Sequence, residues 1–235
     1  MDALPKSFGP QVKVCGLTIV DEAVTCAAAG ADAIGLVFYP PSPRHVALDQ
    51  ARAIVAALPE HVAAVGVFNN ATWEELDQAI AYCPLSGVQL HGNESPGIID
   101  RLRSQYRDIT VLKGLFAAKA PFMSQAKQFN ASAFLVECGR GVLPGGNALT
   151  WDWSSAREFA SNHPMVLAGG LHPDNVVEAI NACLPDAVDA SSGLESAPGR
   201  KDLDKATRFI AQVRRTGEAY RIATKIPQPI FGKGA

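Results

Sequence analysis

Residues 63–92 read AAVGVFNNATWEELDQAIAYCPLSGVQLHG. A short apolar run, Ala63 to Phe68, opens the stretch, and a second, Gly87 to Leu90, closes it. Between them Trp73 to Tyr82 carries Leu76, Ala79 and Ile80 at helical spacing, which gives one apolar stripe on one helix. Two short buried strands joined by an amphipathic helix form the unit from which parallel sheets are built.

The same unit recurs on both sides of this stretch. Strands are expected at Val12 to Cys15, Ala33 to Phe38, Thr110 to Lys113, Ala133 to Glu137, Met165 to Ala168 and Ala187 to Ala190. Helices with the same kind of stripe are expected at Leu48 to Leu58, Asn175 to Cys183 and Leu203 to Arg214. Eight units in 235 residues leave about 29 residues each, at one helix per strand. That length fits a single (β/α)8 TIM barrel of the α/β class better than a doubly wound open sheet. The expected divisions are an N-terminal extension over 1–10, the barrel over 11–216 and a C-terminal tail over 217–235. Pro227, Pro229, Gly232 and Gly234 interrupt that last segment, and its lack of periodicity places it outside the barrel.

With 48% hydrophobic and 19% charged residues, the chain can bury one large core. Its 21 basic and 23 acidic residues leave a formal charge of −2, which provides no footprint for nucleic acid or an anionic membrane surface. A small-molecule partner is expected instead. The five cysteines, Cys15, Cys26, Cys83, Cys138 and Cys183, are an odd number without CxxC spacing, so neither a disulfide framework nor a zinc site is implied. Reduced thiols and a cytoplasmic location follow. The stretch MDALPKSFGPQ lacks the apolar core of a secretory signal, and no apolar run nears the roughly 20 residues of a membrane span.

In such a barrel, chemistry sits at the carboxyl ends of the strands and in the loops beyond them. Cys15 ends the first strand beside Gly16 and is a candidate base or nucleophile; the alternative is a small buried hydrophobe. As a base it needs a positive charge or a helix terminus nearby, because a thiol near its reference pKa of about 8.5 is mostly protonated at neutral pH. Arg44 follows the stiff loop Pro40-Pro41-Ser42-Pro43 and is either a fork for a carboxylate at the mouth or a solvated arginine. Gly169-Gly170-Leu171 and Ser191-Ser192-Gly193 are small-residue loops after the seventh and eighth strands, suited to phosphate, although either alone is also an ordinary tight turn. Glu137 ends the sixth strand, a candidate acid if it points inward. His91 closes the fourth strand as a substrate ligand, and no ligand-spaced partner nearby favours a metal. Lys113 ends the fifth strand, able in principle to form a Schiff base and otherwise filling the mouth.

Taken in order, VKVCGLT, GADAIGLVFYPPSPRHV, VGVFNN, VQLHGNE, PGGNALTWDW, LAGGLHPDNV and DASSGLESAPGRKD resemble phosphoribosylanthranilate isomerase, over about Val12 to Arg214. The resemblance implies an intramolecular aldose–ketose isomerase without metal or organic cofactor. It would perform the Amadori rearrangement of N-(5′-phosphoribosyl)anthranilate to 1-(2-carboxyphenylamino)-1-deoxyribulose 5-phosphate, the third step of tryptophan biosynthesis from chorismate. By the same resemblance Cys15 stands in the base position, Arg44 where the anthranilate carboxylate is met, and the loops at Gly169-Gly170 and Ser191-Ser192-Gly193 where phosphate is held.

Two departures accompany the resemblance. The family ends its sixth strand with aspartate, and this chain has Glu137. After Gly145-Gly146 the family usually has a small residue, Gly and Lys, whereas Asn147-Ala148-Leu149-Thr150 stands here. Glutamate and aspartate have similar reference pKa values, so geometry is the greater concern: one added methylene moves the carboxyl by about 1.5 Å. The departures leave two alternatives, a catalytically silent phosphate-binding barrel and an isomerase of a related aminosugar phosphate, the latter including one with two such substrates as in some barrels of histidine biosynthesis. A monomer and a homodimer are both compatible with the sequence.

Overall fold

A computed structural model describes residues 9–140, 149–223 and 225–232. Eight parallel strands close into a barrel: β1 (Gln11–Cys15), β2 (Ala33–Val37), β3 (Ala63–Phe68), β4 (Gly87–Leu90), β5 (Thr110–Phe116), β6 (Ala133–Glu137), β7 (Met165–Leu167) and β8 (Ala187–Ala190). The closing seam pairs β1 with β8, setting Lys13 opposite Asp189, and the next pairing sets Cys15 opposite Gly35. This is the (β/α)8 architecture that the repeating units predict.

Alternate residues of each strand face opposite ways. Val12 and Val14, Ile34 and Leu36, Val111 and Leu115, and Phe134 and Val136 pack outward in the layer under the helices. Ala33, Val65, Leu112, Leu135 and Val166 pack inward in the barrel's lower core. Cys15, Val37 and Val67 form a separate small cluster. Lys113 shares the outward parity of Val111 and Leu115. Its ammonium is 2.9 Å from Glu94 Oε2 and 2.6 Å from the Gly92 carbonyl. It therefore neither fills the mouth nor stands where a Schiff base would form.

The outer layer comprises α1 (Val20–Ala28), α2 (Leu48–Ala57), α3 (Trp73–Tyr82), α4 (Pro96–Gln105), α5 (Arg157–Asn162), α6 (Val176–Cys183) and α7 (Leu203–Arg214). The third helix begins at a capping box in which Thr72 and Glu75 satisfy each other's backbone amides. The seventh begins at Asp202, whose side chain accepts from the Lys205 amide, and buries Ala206, Phe209, Ile210 and Val213 on one face. One helix per strand does not hold throughout. Between β5 and β6 stands only a 3₁₀ segment, Met123–Gln128, with Ala126 its one buried residue. That stretch has no apolar stripe to cover the sheet.

The end of the chain also differs from the expected loose tail. A short helix, α8 (Gly217–Ile222), buries Tyr220, and the extended segment beyond it returns to the amino ends of the strands. Gln11 Oε1 accepts from the Ile230 and Phe231 amides at 2.6 and 2.8 Å, while Gln11 Nε2 donates to the Phe231 carbonyl at 2.6 Å. Ile230 and Phe231 join the inward-facing core of the barrel floor. No helix among the described residues is long and apolar enough to cross a membrane.

Candidate active site

A cavity opens at the carboxyl ends of the strands. Cys15, Arg44, His91, Glu137, Gly169, Gly170, Ser191, Ser192 and Gly193 all line it, so the residues singled out above converge on one place. Cys138, next to the acid candidate, lines it too, as do Gln89, Asp189 and Arg140, which the sequence reading passed over.

Cys15 takes its place through two glycines. Gly16 turns with φ +77, and a Cβ there would lie 2.6 Å from Arg44 Cδ. A Cβ on Gly35 would lie 2.7 Å from the Cys15 sulfur, so that glycine opens the space the thiol fills. Burial pushes the Cys15 thiol above its ordinary value, while the adjacent Lys13 ammonium pulls the other way. Lys13 is fully buried and lies 2.9 Å from Asp189 Oδ1. This is the positive neighbour that a basic thiol requires. Its signal lay in Lys13 and Cys15 being two residues apart on one strand, and hence on one face.

Arg44 is placed by a carboxylate and not by the prolines alone. Its Nε and Nη2 each donate to Glu195 at 2.8 Å, a side-on pair across the mouth. Glu195 lies in the first strand of a small hairpin, β9 (Glu195–Ala197) and β10 (Arg200–Lys201), and also receives Lys201 Nζ at 2.9 Å. Burial opposes its charge, but the two cations outweigh that and hold its carboxyl below the usual range. The side-on pair occupies two of the five guanidinium donors.

Glu137 belongs to the inward parity of β6, with Ala133 and Leu135 below it. His91 Nε2 lies 3.3 Å from Glu137 Oε1, so a carboxylate partner exists for His91 that sequence spacing did not disclose. On its other side the His91 Nδ1 is 3.2 Å from Gln89 Nε2, and the Gln89 Oε1, buried at the cavity, has no hydrogen-bond partner among the described residues. Ser191 Oγ is likewise buried and unpartnered. Both atoms are unmet hydrogen-bonding capacity at the cavity wall.

The two small-residue loops meet. Gly169 and Gly170 have φ +89 and +70, and a Cβ on Gly193 would be 2.1 Å from the Leu171 carbonyl oxygen. The close approach is possible only without side chains. Leu149 lines the cavity, and Asn147 and Ala148 lie outside the described residues. Among the described residues no group of three or more His, Cys, Asp or Glu side chains is arranged to hold a metal.

Residues 12–212 match the family model described as N-(5'phosphoribosyl)anthranilate (PRA) isomerase. The chain is 47% identical over 221 residues to the N-(5'-phosphoribosyl)anthranilate isomerase of Desulfatibacillum aliphaticivorans, covering 94% of this chain and 98% of the relative. It superposes on the crystal structure of phosphoribosyl anthranilate isomerase from Thermotoga maritima with a TM-score of 0.79 and 35% identity, covering 88% of this chain and 99% of the other. It is also similar, at TM-score 0.76 and 35% identity and with the same coverage, to a phosphoribosyl anthranilate isomerase solved in complex with reduced 1-(o-carboxyphenylamino)-1-deoxyribulose 5-phosphate.

Proposed function

The chain belongs to the N-(5'-phosphoribosyl)anthranilate isomerase family, and from that premise we propose that its cavity isomerises N-(5′-phosphoribosyl)anthranilate in tryptophan biosynthesis, with Cys15 as base and Glu137 as acid. The observation that carries the assignment is that a thiol and a carboxyl, from opposite sides of the barrel, face one cavity. An Amadori rearrangement needs one proton donor and one acceptor.

Glu137 gives its proton to the furanose ring oxygen; the C1′–O bond breaks and the nitrogen lone pair forms the Schiff base. Cys15 as thiolate takes the C2′ proton, and the electron pair flows through carbon to neutralise the iminium as an enolamine. Tautomerisation yields the ketone. Arg44 meets the anthranilate carboxylate with the donors that Glu195 leaves free, and the loops at Gly169-Gly170 and Ser191-Ser192-Gly193 hold the phosphate. His91 orients the acid. Gln89 Oε1 accepts from a sugar hydroxyl, which supplies its absent partner. The ligand of the solved relative carries a carboxylate and a phosphate, which supports this division of the cavity.

Turnover is measured with the purified chain as loss of phosphoribosylanthranilate fluorescence. Cys15→Ala and Glu137→Gln are each expected to reduce the rate at least about a hundredfold, within the usual contribution of a general acid or base. An unimpaired Glu137→Gln variant would remove the acid role.

A further inference from the structure

Lys113 and Glu94 form an ion pair behind the barrel wall, and what that pair grips bears on the acid; the inference rests on Glu137 as the acid and His91 as its neighbour. Lys113 Nζ lies 2.9 Å from Glu94 Oε2, with the two side chains 0% and 2% exposed. Neither residue lines the cavity. A buried ion pair is weak evidence for stability by itself, since apolar side chains of similar volume often serve as well.

Both charges close on one stretch of backbone. Lys113 Nζ donates to the Gly92 carbonyl at 2.6 Å and to the Leu90 carbonyl at 3.3 Å. Glu94 accepts from the Gly92 amide at 3.1 Å on Oε1 and at 3.0 Å on Oε2. Leu90 and Gly92 stand on either side of His91. Glu94 Oε1 also accepts from the Asn70 amide at 2.8 Å, and Asn70 Oδ1 accepts from the Asn93 amide at 2.6 Å, so the same stretch is tied to the loop after β3. A Cβ on Gly92 would lie 2.5 Å from Asn70 Oδ1, which shows how closely the two loops pack. The strand that carries Lys113 also walls the ring: a Cβ on Gly114 would lie 3.0 Å from His91 Nδ1, and Phe116 meets the imidazole edge-on.

We propose that Lys113 and Glu94 are positioning residues for the reaction: by holding the main chain on both sides of His91, their ion pair sets the imidazole against Glu137 and so fixes where the acid stands. A pair that served stability alone would change Tm and leave the rate of the folded enzyme untouched.

Two readouts on the full chain test this. In ¹⁵N-labelled protein without substrate, the His91 ring resonance is identified by its loss in His91→Ala. Lys113→Met should shift or broaden that resonance, while those of His45, His61, His163 and His172 stay in place. The same variant should lower kcat about ten- to a hundredfold, the cost of a misplacement of about 1 Å, with KM within about twofold because Arg44 and the two small-residue loops are untouched. In a His91→Ala background Lys113→Met should cost less than about twofold more, since the pair acts through that ring. If circular dichroism shows Lys113→Met unfolded, Lys113→Met/Glu94→Gln, which leaves no unpaired buried charge, carries the same comparisons. An unmoved His91 resonance, an equal loss of kcat with and without His91, or an unchanged kcat where Glu137→Gln is impaired overturns the proposal. If Glu137→Gln is itself unimpaired, the acid reading falls, and the ring resonance alone decides whether the pair sets His91.

Discussion

His91 Nε2 lies 3.3 Å from Glu137 Oε1, although their strands are separated by β5. The ring is held edge-on against Phe116 at 5.4 Å, so the imidazole is a fixed post and the glutamate reaches it. Removing one methylene withdraws the carboxyl by about 1.5 Å, beyond hydrogen-bonding reach of that post. Glu137→Asp should therefore lower kcat by about ten- to a hundredfold, with little change in KM, because a misplacement of about 1 Å has that cost. Steady-state fluorescence kinetics check this; an equal or higher kcat would mean that the site is not built around the longer arm.

Arg44 and Glu195 make a second prediction. The side-on pair fixes the guanidinium, and Arg44 lines the cavity. Losing a charge-assisted carboxylate contact of about 1.5–3 kcal/mol should raise KM of Arg44→Ala about ten- to a hundredfold. Arg44→Lys should not restore it, because an ammonium cannot hold Glu195 and the substrate in one plane. Full recovery with lysine would show that charge alone suffices.

The thiol sets a direction with pH. Burial raises the Cys15 pKa, and Lys13 only partly opposes this, so the resting side chain is chiefly the protonated form at neutral pH. A base works deprotonated; the fraction available grows about tenfold per pH unit below that raised value. The limb of kcat/KM assigned to Cys15 should accordingly rise from neutral into alkaline pH. A kcat/KM that stays flat over that range would separate the base from the thiol.

The strands and the amphipathic helices were legible because their signals are local: short apolar runs and stripes at three- and four-residue spacing, as at Leu76, Ala79 and Ile80. The inward or outward sense of a strand end was not. Parallel strands buried on both faces carry no alternation of polarity, so Lys113 and Glu137 looked alike in sequence, and one faces out while the other faces the cavity. Nor were the pairs that tune the site. Lys13 and Asp189 are 176 residues apart and Arg44 and Glu195 are 151 apart; neither separation leaves a periodic trace.

The chain end was misread for the opposite reason, since it packs through two side chains and not through a stripe. Ile230 and Phe231 are buried in the barrel floor and tied to Gln11 at the start of β1, at the end remote from the cavity. They lie beyond residue 212, where the match to the family model stops. Truncating a buried phenylalanine costs about 3–5 kcal/mol, and in a chain of this length each kcal/mol moves Tm by about 2–4 °C. Phe231→Ala should lower Tm by about 6–12 °C at the conservative end of that cost, while kcat/KM at 25 °C stays within about twofold. Differential scanning calorimetry and steady-state kinetics on the same sample decide it. An unchanged Tm would mean that the floor is stable without its plug, and a fall in kcat/KM at an unchanged folded fraction would mean that the two ends of the barrel are coupled.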